Sequence, residues 1–124
     1  MKILAKKSIQ KFFSLYPQRV NIIPIDDNPQ KGFSHTAVLA SVIENHNIIY
    51  GSLWARNRVH YAGKSLEFRL NNPRNFEYRG AENIDVVLLD DVLTTGSTIA
   101  EAKEVLKKHN VNVLFSVVLA NLQN

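Results

Sequence analysis

Residues 84–98 read Ile-Asp-Val-Val-Leu-Leu-Asp-Asp-Val-Leu-Thr-Thr-Gly-Ser-Thr, and this stretch decides the fold class. Its first part, Ile84–Leu89, is a mostly apolar run that ends at two acids, which is typical of a strand covered on both faces. We predict a helix over Ser97–His109 and another strand over Val111–Ala120. A strand, a helix and a strand in this order predict a right-handed crossover between parallel strands.

The N-terminal half repeats this alternation. Apolar residues recur at helical spacing over residues 2–15 with lysines between them, and Pro17 ends this predicted helix. Val20–Ile25 is a short β-branched run, Gly32–Ile43 has a helical pattern, and Ile48–Trp54 predicts a second strand. The sequence therefore predicts an α/β fold, with a mainly parallel, doubly wound sheet flanked by helices.

Two connections stand apart from these elements. Asp26–Lys31 links the first predicted strand to the helix that follows it. Arg56–Arg74 is polar, basic and without a hydrophobic period, and it is longer than an ordinary connection. A segment of this kind is usually functional or disordered.

Length and composition limit the class of protein. A chain of 124 residues fits one domain over 1–124, and 45% of its residues are hydrophobic. No apolar run approaches the roughly 20 residues that span a bilayer, and the N-terminus has no convincing signal-peptide pattern. We therefore expect a cytoplasmic protein that does not insert into membranes.

Charge and cysteine content narrow the chemistry further. There are no cysteines, which excludes disulfides, thiolate zinc sites and cysteine nucleophiles. The formal charge is +4 and the isoelectric point is near 9.5. A mild positive excess attracts phosphates or nucleic acid, but it does not choose between them.

The segment after the apolar run has the composition of a phosphate site. In an open parallel sheet, ligands bind outside the carboxyl ends of the strands, where Asp90, Asp91 and the Thr94–Thr98 turn fall. The turn offers four hydroxyls and consecutive N–H groups at a helix N-terminus, and Gly96 tolerates positive φ. A helix start needs one capping residue, so two acids and four hydroxyls exceed that requirement. No glycines have dinucleotide-fold or Walker A spacing.

The two adjacent acids indicate what else the ligand carries. Neighbouring carboxylates at the end of a buried strand repel each other, so they need hydrogen-bond donors or a cation. Vicinal ribose hydroxyls are such donors, and the 5-phosphate of the same sugar would then reach the turn a few residues later. A sugar phosphate satisfies both groups.

The segment resembles the phosphoribosyl diphosphate motif of type I phosphoribosyltransferases, in which two acids and Thr-Thr-Gly-x-Thr follow a hydrophobic strand. More narrowly, the chain is similar to the ComF branch, which is associated with bacterial DNA uptake. That similarity rests on Ile22–Ile25, Lys31–Ser34, Arg56, Arg58, Leu66, Arg69 and Asn72.

The resemblance implies a role for each group of site residues, and it implies that magnesium arrives with the ligand without direct protein ligands. It assigns the ribose hydroxyls to Asp90 and Asp91, and the 5-phosphate to Thr94, Thr95, Gly96, Ser97 and Thr98. It assigns the diphosphate to the Asp26–Lys31 loop with Lys31, Arg56 and Arg58. The flexible loop that closes over the site would be Val59–Asn72, with His60, Tyr61 and Lys64.

The chain departs from the ComF pattern in two respects. Relatives commonly have Arg-Gly-Phe-Asn where this chain has Lys31–Ser34, which keeps the cation and loses the bidentate geometry of arginine. Relatives usually also carry an N-terminal cysteine-rich zinc module. This chain has no cysteines to form such a module, so no zinc is expected here. We interpret the chain as a truncated family member or a fragment.

The resemblance implies a phosphoribosyltransferase that releases diphosphate and takes part in natural transformation competence. One alternative is a nucleobase-salvage phosphoribosyltransferase. Another is a non-catalytic module with a regulatory or vestigial ligand site that binds single-stranded DNA or DNA-uptake proteins. Its surface would comprise Arg56, Arg58, Lys64, Arg69, Arg74 and Arg79, interleaved with Trp54, Tyr61, Phe68, Phe76 and Tyr78. His35 is interpreted as a polar surface group.

Overall fold

A five-stranded parallel sheet is the central element of the computed structural model, which describes residues 2–4, 6–32, 34–57, 63–71, 73–91 and 97–119. The predicted α/β fold is confirmed, since every neighbouring pair of strands in this sheet is parallel and helices cover both faces. In spatial order the strands are β1 (Lys2–Leu4), β7 (Asn112–Leu119), β6 (Asp85–Asp90), β2 (Asn21–Pro24) and β3 (Asn47–Ile48).

The side chains of β6 divide the core into two layers. Successive residues of a strand point to opposite faces, and all residues from Val86 to Asp90 are buried. Val87 and Leu89 pack with helices α1 (Lys6–Leu15) and α2 (His35–Ala40). Val86 and Leu88 face the opposite layer, which contains helix α4 (Ser97–Lys108).

A two-stranded antiparallel ribbon completes the layer of α4. It consists of β4 (Leu53–Ala55) and β5 (Phe76–Tyr78). The inward side chains Leu53, Phe76 and Tyr78 are buried against the apolar face of α4. The outward side chains, Trp54 and Glu77, lie opposite each other on the other face of the ribbon.

The prediction of one helix over residues 2–15 is wrong at its N-terminal end. Lys2–Leu4 is a strand whose residues pair in parallel with Val117–Leu119 at the edge of β7, and helix α1 begins at Lys6. Ile3 and Leu4 fit a helical or an extended pattern equally well. The extended conformation is favoured because it lets residues 2–4 form hydrogen bonds with backbone groups of β7 that would otherwise lack partners.

The prediction of one strand over Ile48–Trp54 is also wrong. The chain forms β3, turns at Gly51, whose φ is +60°, and continues as β4 in the second sheet. The following segment, Arg56–Arg74, is not free of regular structure either, because it contains helix α3 (Leu66–Asn71). Within the described ranges, no helix is long and apolar enough to cross a membrane.

Candidate functional site

A pocket of about 450 Å³ opens where β2 and β6 end at the same edge of the sheet, and we call it the sheet-edge pocket. This is the place at which open parallel sheets bind ligands. Three of its lining residues are acidic and most of the others are polar. The described lining residues are Ile25, Asp26, Ser34, His35, Thr36, Arg74, Phe76, Asp90, Asp91 and Thr98.

Asp90 and Asp91 meet the pocket at the end of β6. Asp90 is the last residue of the strand and is only 7% exposed, and its Oδ1 accepts a hydrogen bond from the N–H of Asp91 at 2.8 Å. Asp90 lies two residues after Leu88 in the strand, so it is on the same face of the sheet, the face that α4 covers. The apolar residues before Asp90 keep β6 in the core of the sheet. Because the strand ends at the pocket, the adjacent carboxylates of Asp90 and Asp91 both line it.

The loop after β2 is held by its two aspartates. Asp26 has a left-handed backbone with φ of +62°, and its Oδ1 accepts from the N–H of Ala55 at 2.9 Å. Asp27 is buried, and its Oδ2 accepts from the N–H of Gly51 at 2.6 Å while its own N–H donates to the carbonyl of Leu53 at 2.8 Å. These bonds fix the β2 side of the pocket against the β4 segment, and only Asp26 of the two lines the pocket.

The predicted diphosphate loop continues as a single 3-10 turn over Pro29–Lys31. The side chain of Asn28 caps this turn by accepting from the N–H of Gln30 at 2.9 Å. Lys31 is exposed and is not among the residues that line the sheet-edge pocket. The prediction that Lys31 meets the diphosphate therefore stays a prediction.

Helix α2 brings its first residues to the pocket. Ser34 is its N-cap, because the Ser34 Oγ accepts from the N–H of Ala37 at 3.0 Å. Thr36 is buried, while His35 is exposed and lines the pocket. The sequence predicted His35 as a surface group, and the structure places that exposed side chain on the wall of the candidate site.

The start of α4 contributes Thr98. This residue lies in the first turn of the helix and lines the sheet-edge pocket together with the two acids of β6. Thr94, Thr95 and Gly96, as well as the side chain of Ser97, lie outside the described residues. Their predicted role toward a 5-phosphate stays a prediction.

Arg74 is a pocket residue that sequence reasoning assigned elsewhere. Its side chain is 13% exposed, its Nη1 donates to Glu101 Oε2 at 2.5 Å, and its backbone N–H donates to Glu101 Oε1 at 2.8 Å. The two residues are 27 positions apart in the chain. No local pattern in the sequence predicts this pair, because it depends on how β5 packs against α4.

Among the described residues, the other predicted cations do not line the sheet-edge pocket. Arg56 has a side chain that is 65% exposed and lies 3.9 Å from Glu77, measured from Nε to Oε1. It lines a different cavity of about 590 Å³, beside Lys108. Lys64 is exposed, with its Nζ 5.1 Å from the ring centroid of Phe68. Arg58, His60 and Tyr61 lie outside the described residues.

Two of the aromatic residues predicted to contact single-stranded DNA are not at the surface. Phe76 and Tyr78 are buried in the core, so their rings are not available for stacking on bases. Trp54 lies on the outer face of the ribbon, where the Arg79 guanidinium is 5.9 Å from its ring centroid. Of the predicted surface, the described residues Arg56, Lys64 and Arg79 are exposed, and Trp54 and Phe68 are half-buried.

The sheet-edge pocket offers oxygen atoms that could help to hold magnesium. Magnesium prefers oxygen ligands and usually shares them with substrate phosphates. The carboxylates of Asp26, Asp90 and Asp91 are ligands of the right type, yet no group of three or more acids and histidines forms a metal cluster within the described part of the chain. These carboxylates fit a cation whose coordination is completed by oxygen atoms of a bound ligand.

One solved structure with a TM-score above 0.5 supports the fold. UMP synthase from Leishmania donovani superposes with a TM-score of 0.52 at 22% identity, covering 92% of this chain and 21% of that chain. A hypoxanthine phosphoribosyltransferase from Staphylococcus aureus has a TM-score of 0.46 at 17% identity, covering 97% of this chain and 71% of that one. The chain therefore spans about a fifth of the UMP synthase. No family model and no curated protein sequence matches it.

Proposed function

We propose that the chain binds phosphoribosyl diphosphate with magnesium in the sheet-edge pocket and acts as a phosphoribosyltransferase. The observation that carries this proposal is the meeting of Asp90, Asp91 and Thr98 in one pocket at the carboxyl end of β6. The fold shared with UMP synthase supports it at a coarse level.

In this proposal the ligand spans the pocket from the acids to the start of α4. The ribose hydroxyls donate to the carboxylates of Asp90 and Asp91. The 5-phosphate lies at the first turn of α4, because the N–H groups of a helix N-terminus and the positive end of the helix dipole favour an anion. Thr98 adds a hydroxyl there.

The reaction proposed is displacement at C1 of the ribose. A bond forms between the acceptor and C1, the bond from C1 to the diphosphate oxygen breaks, and the diphosphate leaves with the electron pair. The protein orients the sugar through its hydroxyls and its 5-phosphate, which is a positioning role. Magnesium, when bound with the ligand, neutralises the charge of the leaving group.

A calorimetric titration tests the site. We expect phosphoribosyl diphosphate with magnesium to bind the wild type and to bind Asp90→Asn/Asp91→Asn at least about a hundredfold more weakly, because two charge-assisted hydrogen-bond acceptors are lost. Asp85→Asn is the matched control, since Asp85 is an exposed acid at the opposite end of β6. Equal affinity of the wild type and the double variant would refute the site.

An acceptor screen tests the transfer. Release of diphosphate with a nucleobase acceptor would establish salvage chemistry, and release with another acceptor class would establish a different transferase. Binding without turnover across the panel would leave a ligand-binding module. In that case single-stranded DNA is titrated at low salt, where phosphate contacts are strongest.

We also propose, from the ComF resemblance of Lys31–Ser34 and of the segment Arg56–Asn72, a role in natural transformation. The test is disruption of the gene in a naturally competent host and measurement of transformation frequency. Complementation with the wild type should restore the frequency, and complementation with Asp90→Asn/Asp91→Asn should not. An unchanged frequency in the disrupted strain would overturn this role and leave the ligand site untouched.

A further inference from the structure

The charges of the sheet-edge pocket are unbalanced for an anionic ligand. Three of the described lining residues are carboxylates, Asp26, Asp90 and Asp91, and Arg74 is the only lysine or arginine among them. A phosphate that approaches these acids gains most from a fixed cation, because the attraction between opposite charges increases as the surroundings exclude water. Arg74 is therefore the described residue best suited to meet such a group.

Arg74 is fixed in place from both sides. The carboxylate of Glu101 accepts hydrogen bonds from the backbone N–H and from the guanidinium of Arg74. On the other side, the carbonyl of Arg74 accepts from the N–H of Asn57 at 2.9 Å, and the Asn57 side chain donates to the carbonyl of Pro73 at 3.2 Å. These bonds join the two ends of the 57–74 segment and attach them to α4. The guanidinium is thus oriented by contacts that exist without a ligand.

Glu101 links Arg74 to the N-terminal part of α4. Residues three apart on a helix are neighbours on one face, so Glu101 lies one turn beyond Thr98 on the same side of α4. Thr98 and Arg74 both line the pocket. The guanidinium held by Glu101 therefore lies on the side of the pocket where the first turn of α4 begins.

We propose that Arg74 binds the phosphate group seated at the start of α4, with Glu101 as its positioning residue. This inference rests on the proposed function, in which that group is the 5-phosphate of the ligand. A guanidinium offers a planar fork that matches phosphate oxygens, and lysine offers only a point charge. The pair makes the start of α4 a two-part phosphate site, with N–H groups and Thr98 from the helix and a cation from the ribbon.

The test uses three variants and three ligands. Arg74→Gln removes the charge, Arg74→Lys keeps the charge and changes its geometry, and Arg79→Gln is the matched control. Arg79 is also an arginine of the ribbon segment paired with a glutamate, with its Nε 2.9 Å from Glu77 Oε2, but it does not line the pocket. Each protein is titrated with phosphoribosyl diphosphate plus magnesium, with ribose 5-phosphate, and with inorganic diphosphate plus magnesium.

We expect Arg74→Gln to weaken the binding of phosphoribosyl diphosphate and of ribose 5-phosphate by about tenfold or more, which is the usual effect of one charge-assisted hydrogen bond. Binding of inorganic diphosphate should change less than about twofold, and Arg74→Lys should recover part of the loss. Arg79→Gln should behave as the wild type. Unchanged ribose 5-phosphate affinity in Arg74→Gln, or a loss confined to inorganic diphosphate, would overturn the assignment.

The outcome for the wild type separates this inference from the proposed function. If the wild type binds none of the three ligands, the proposed function fails. If the wild type binds and Arg74→Gln binds equally well, only the role of Arg74 fails. Circular dichroism and thermal unfolding without ligand confirm that each variant is folded.

The role of Glu101 is tested by a double-mutant cycle. If Glu101 acts through Arg74, Glu101→Gln should weaken ribose 5-phosphate binding in the wild type and have no further effect in Arg74→Gln. A residue with a merely structural role would lower affinity by the same factor in both backgrounds. Equal factors would therefore refute the positioning role.

Discussion

The Tyr78 ring occupies the space that a side chain on Gly80 would need. A Cβ at position 80 would lie 2.5 Å from the Tyr78 Oη and 2.9 Å from its Cε1. The ring cannot move aside without loss, because Tyr78 is buried in the core and its Oη donates to the carbonyl of Ala81 at 2.6 Å. We expect Gly80→Ala to lower the free energy of unfolding by about 1–3 kcal/mol, the usual cost of overpacking, as measured by urea denaturation.

The background variant Tyr78→Leu provides the control for this prediction. Leucine lacks the atoms that the new methyl group would meet, so Gly80→Ala should cost much less in the Tyr78→Leu protein than in the wild type. The same cost in both backgrounds would show that the close contact is not the cause.

The ionisation of Tyr78 gives a prediction for alkaline pH. Burial, and to a smaller extent the negative charge of Glu82, raises the pKa of Tyr78 above its ordinary value. Because the folded-state pKa lies above the unfolded value of about 10, the neutral ring contributes its full stability below that pH. This contribution is lost as the pH rises from about 10 through the folded-state pKa. The free energy of unfolding should therefore fall above about pH 10.

Tyr78→Phe tests this origin of the alkaline loss. At pH 7 the variant should be less stable by about 1 kcal/mol, since the carbonyl of Ala81 loses its donor. Between about pH 10 and pH 11 it should lose less stability than the wild type, as measured by urea denaturation at each pH. Parallel curves for the two proteins would contradict the assignment to Tyr78.

Truncation to alanine should have different effects at two buried serines. Ser52 and Ser116 are each 1% exposed, but the Ser52 Oγ donates to the carbonyl of Ile49 at 3.1 Å, while the Ser116 Oγ has no hydrogen-bond partner in the described structure. A buried polar group without a partner costs free energy, and one with a partner contributes about 1 kcal/mol. We expect Ser52→Ala to lower the thermal midpoint and Ser116→Ala to leave it unchanged or raise it. A loss at Ser116 as large as that at Ser52 would reveal a partner for its hydroxyl.

The sequence predicted the centre of the sheet well because burial there is unambiguous. The apolar run that became β6 and the β-branched run that became β2 each have one interpretation, and helix α4 follows from its amphipathic spacing. The strand β5 was missed, although Phe76-Glu77-Tyr78 alternates apolar and polar residues as a half-buried strand does. Three residues are too few for that alternation to be decisive within a basic segment.

The site was predicted only as far as its residues are local in the chain. Asp90 ends β6, Asp91 follows it and Thr98 lies in the first turn of the next helix, so the end of one strand at the edge of a parallel sheet places them together. Asp26 was predicted as part of the Asp26–Lys31 loop only through the family resemblance, whereas Arg74, which was assigned to another surface, reaches the pocket through its contact with Glu101, 27 positions away. Such tertiary contacts leave no periodic pattern in the sequence, so one chain alone does not reveal them.

The neighbouring acids Asp26 and Asp27 allow the role of pocket charge to be measured. In both asparagine variants an amide oxygen can still accept from the backbone N–H groups of Ala55 and Gly51, but only Asp26→Asn removes a charge from the sheet-edge pocket. Asparagine also tolerates the left-handed backbone at position 26, so the fold should be retained. We expect Asp26→Asn to weaken magnesium-dependent binding of phosphoribosyl diphosphate by at least about 1 kcal/mol, because it removes one charge that attracts the cation.

The sign of the effect should depend on magnesium. With the metal chelated, the ligand is a bare anion that the carboxylate of Asp26 repels, so Asp26→Asn should bind it as well as the wild type or better. Asp27→Asn, whose charge lies outside the pocket, should show the same magnesium dependence as the wild type. Calorimetry with and without EDTA measures both differences. If Asp26→Asn weakened binding equally in both conditions, the carboxylate would be acting on the ligand itself and not through the cation.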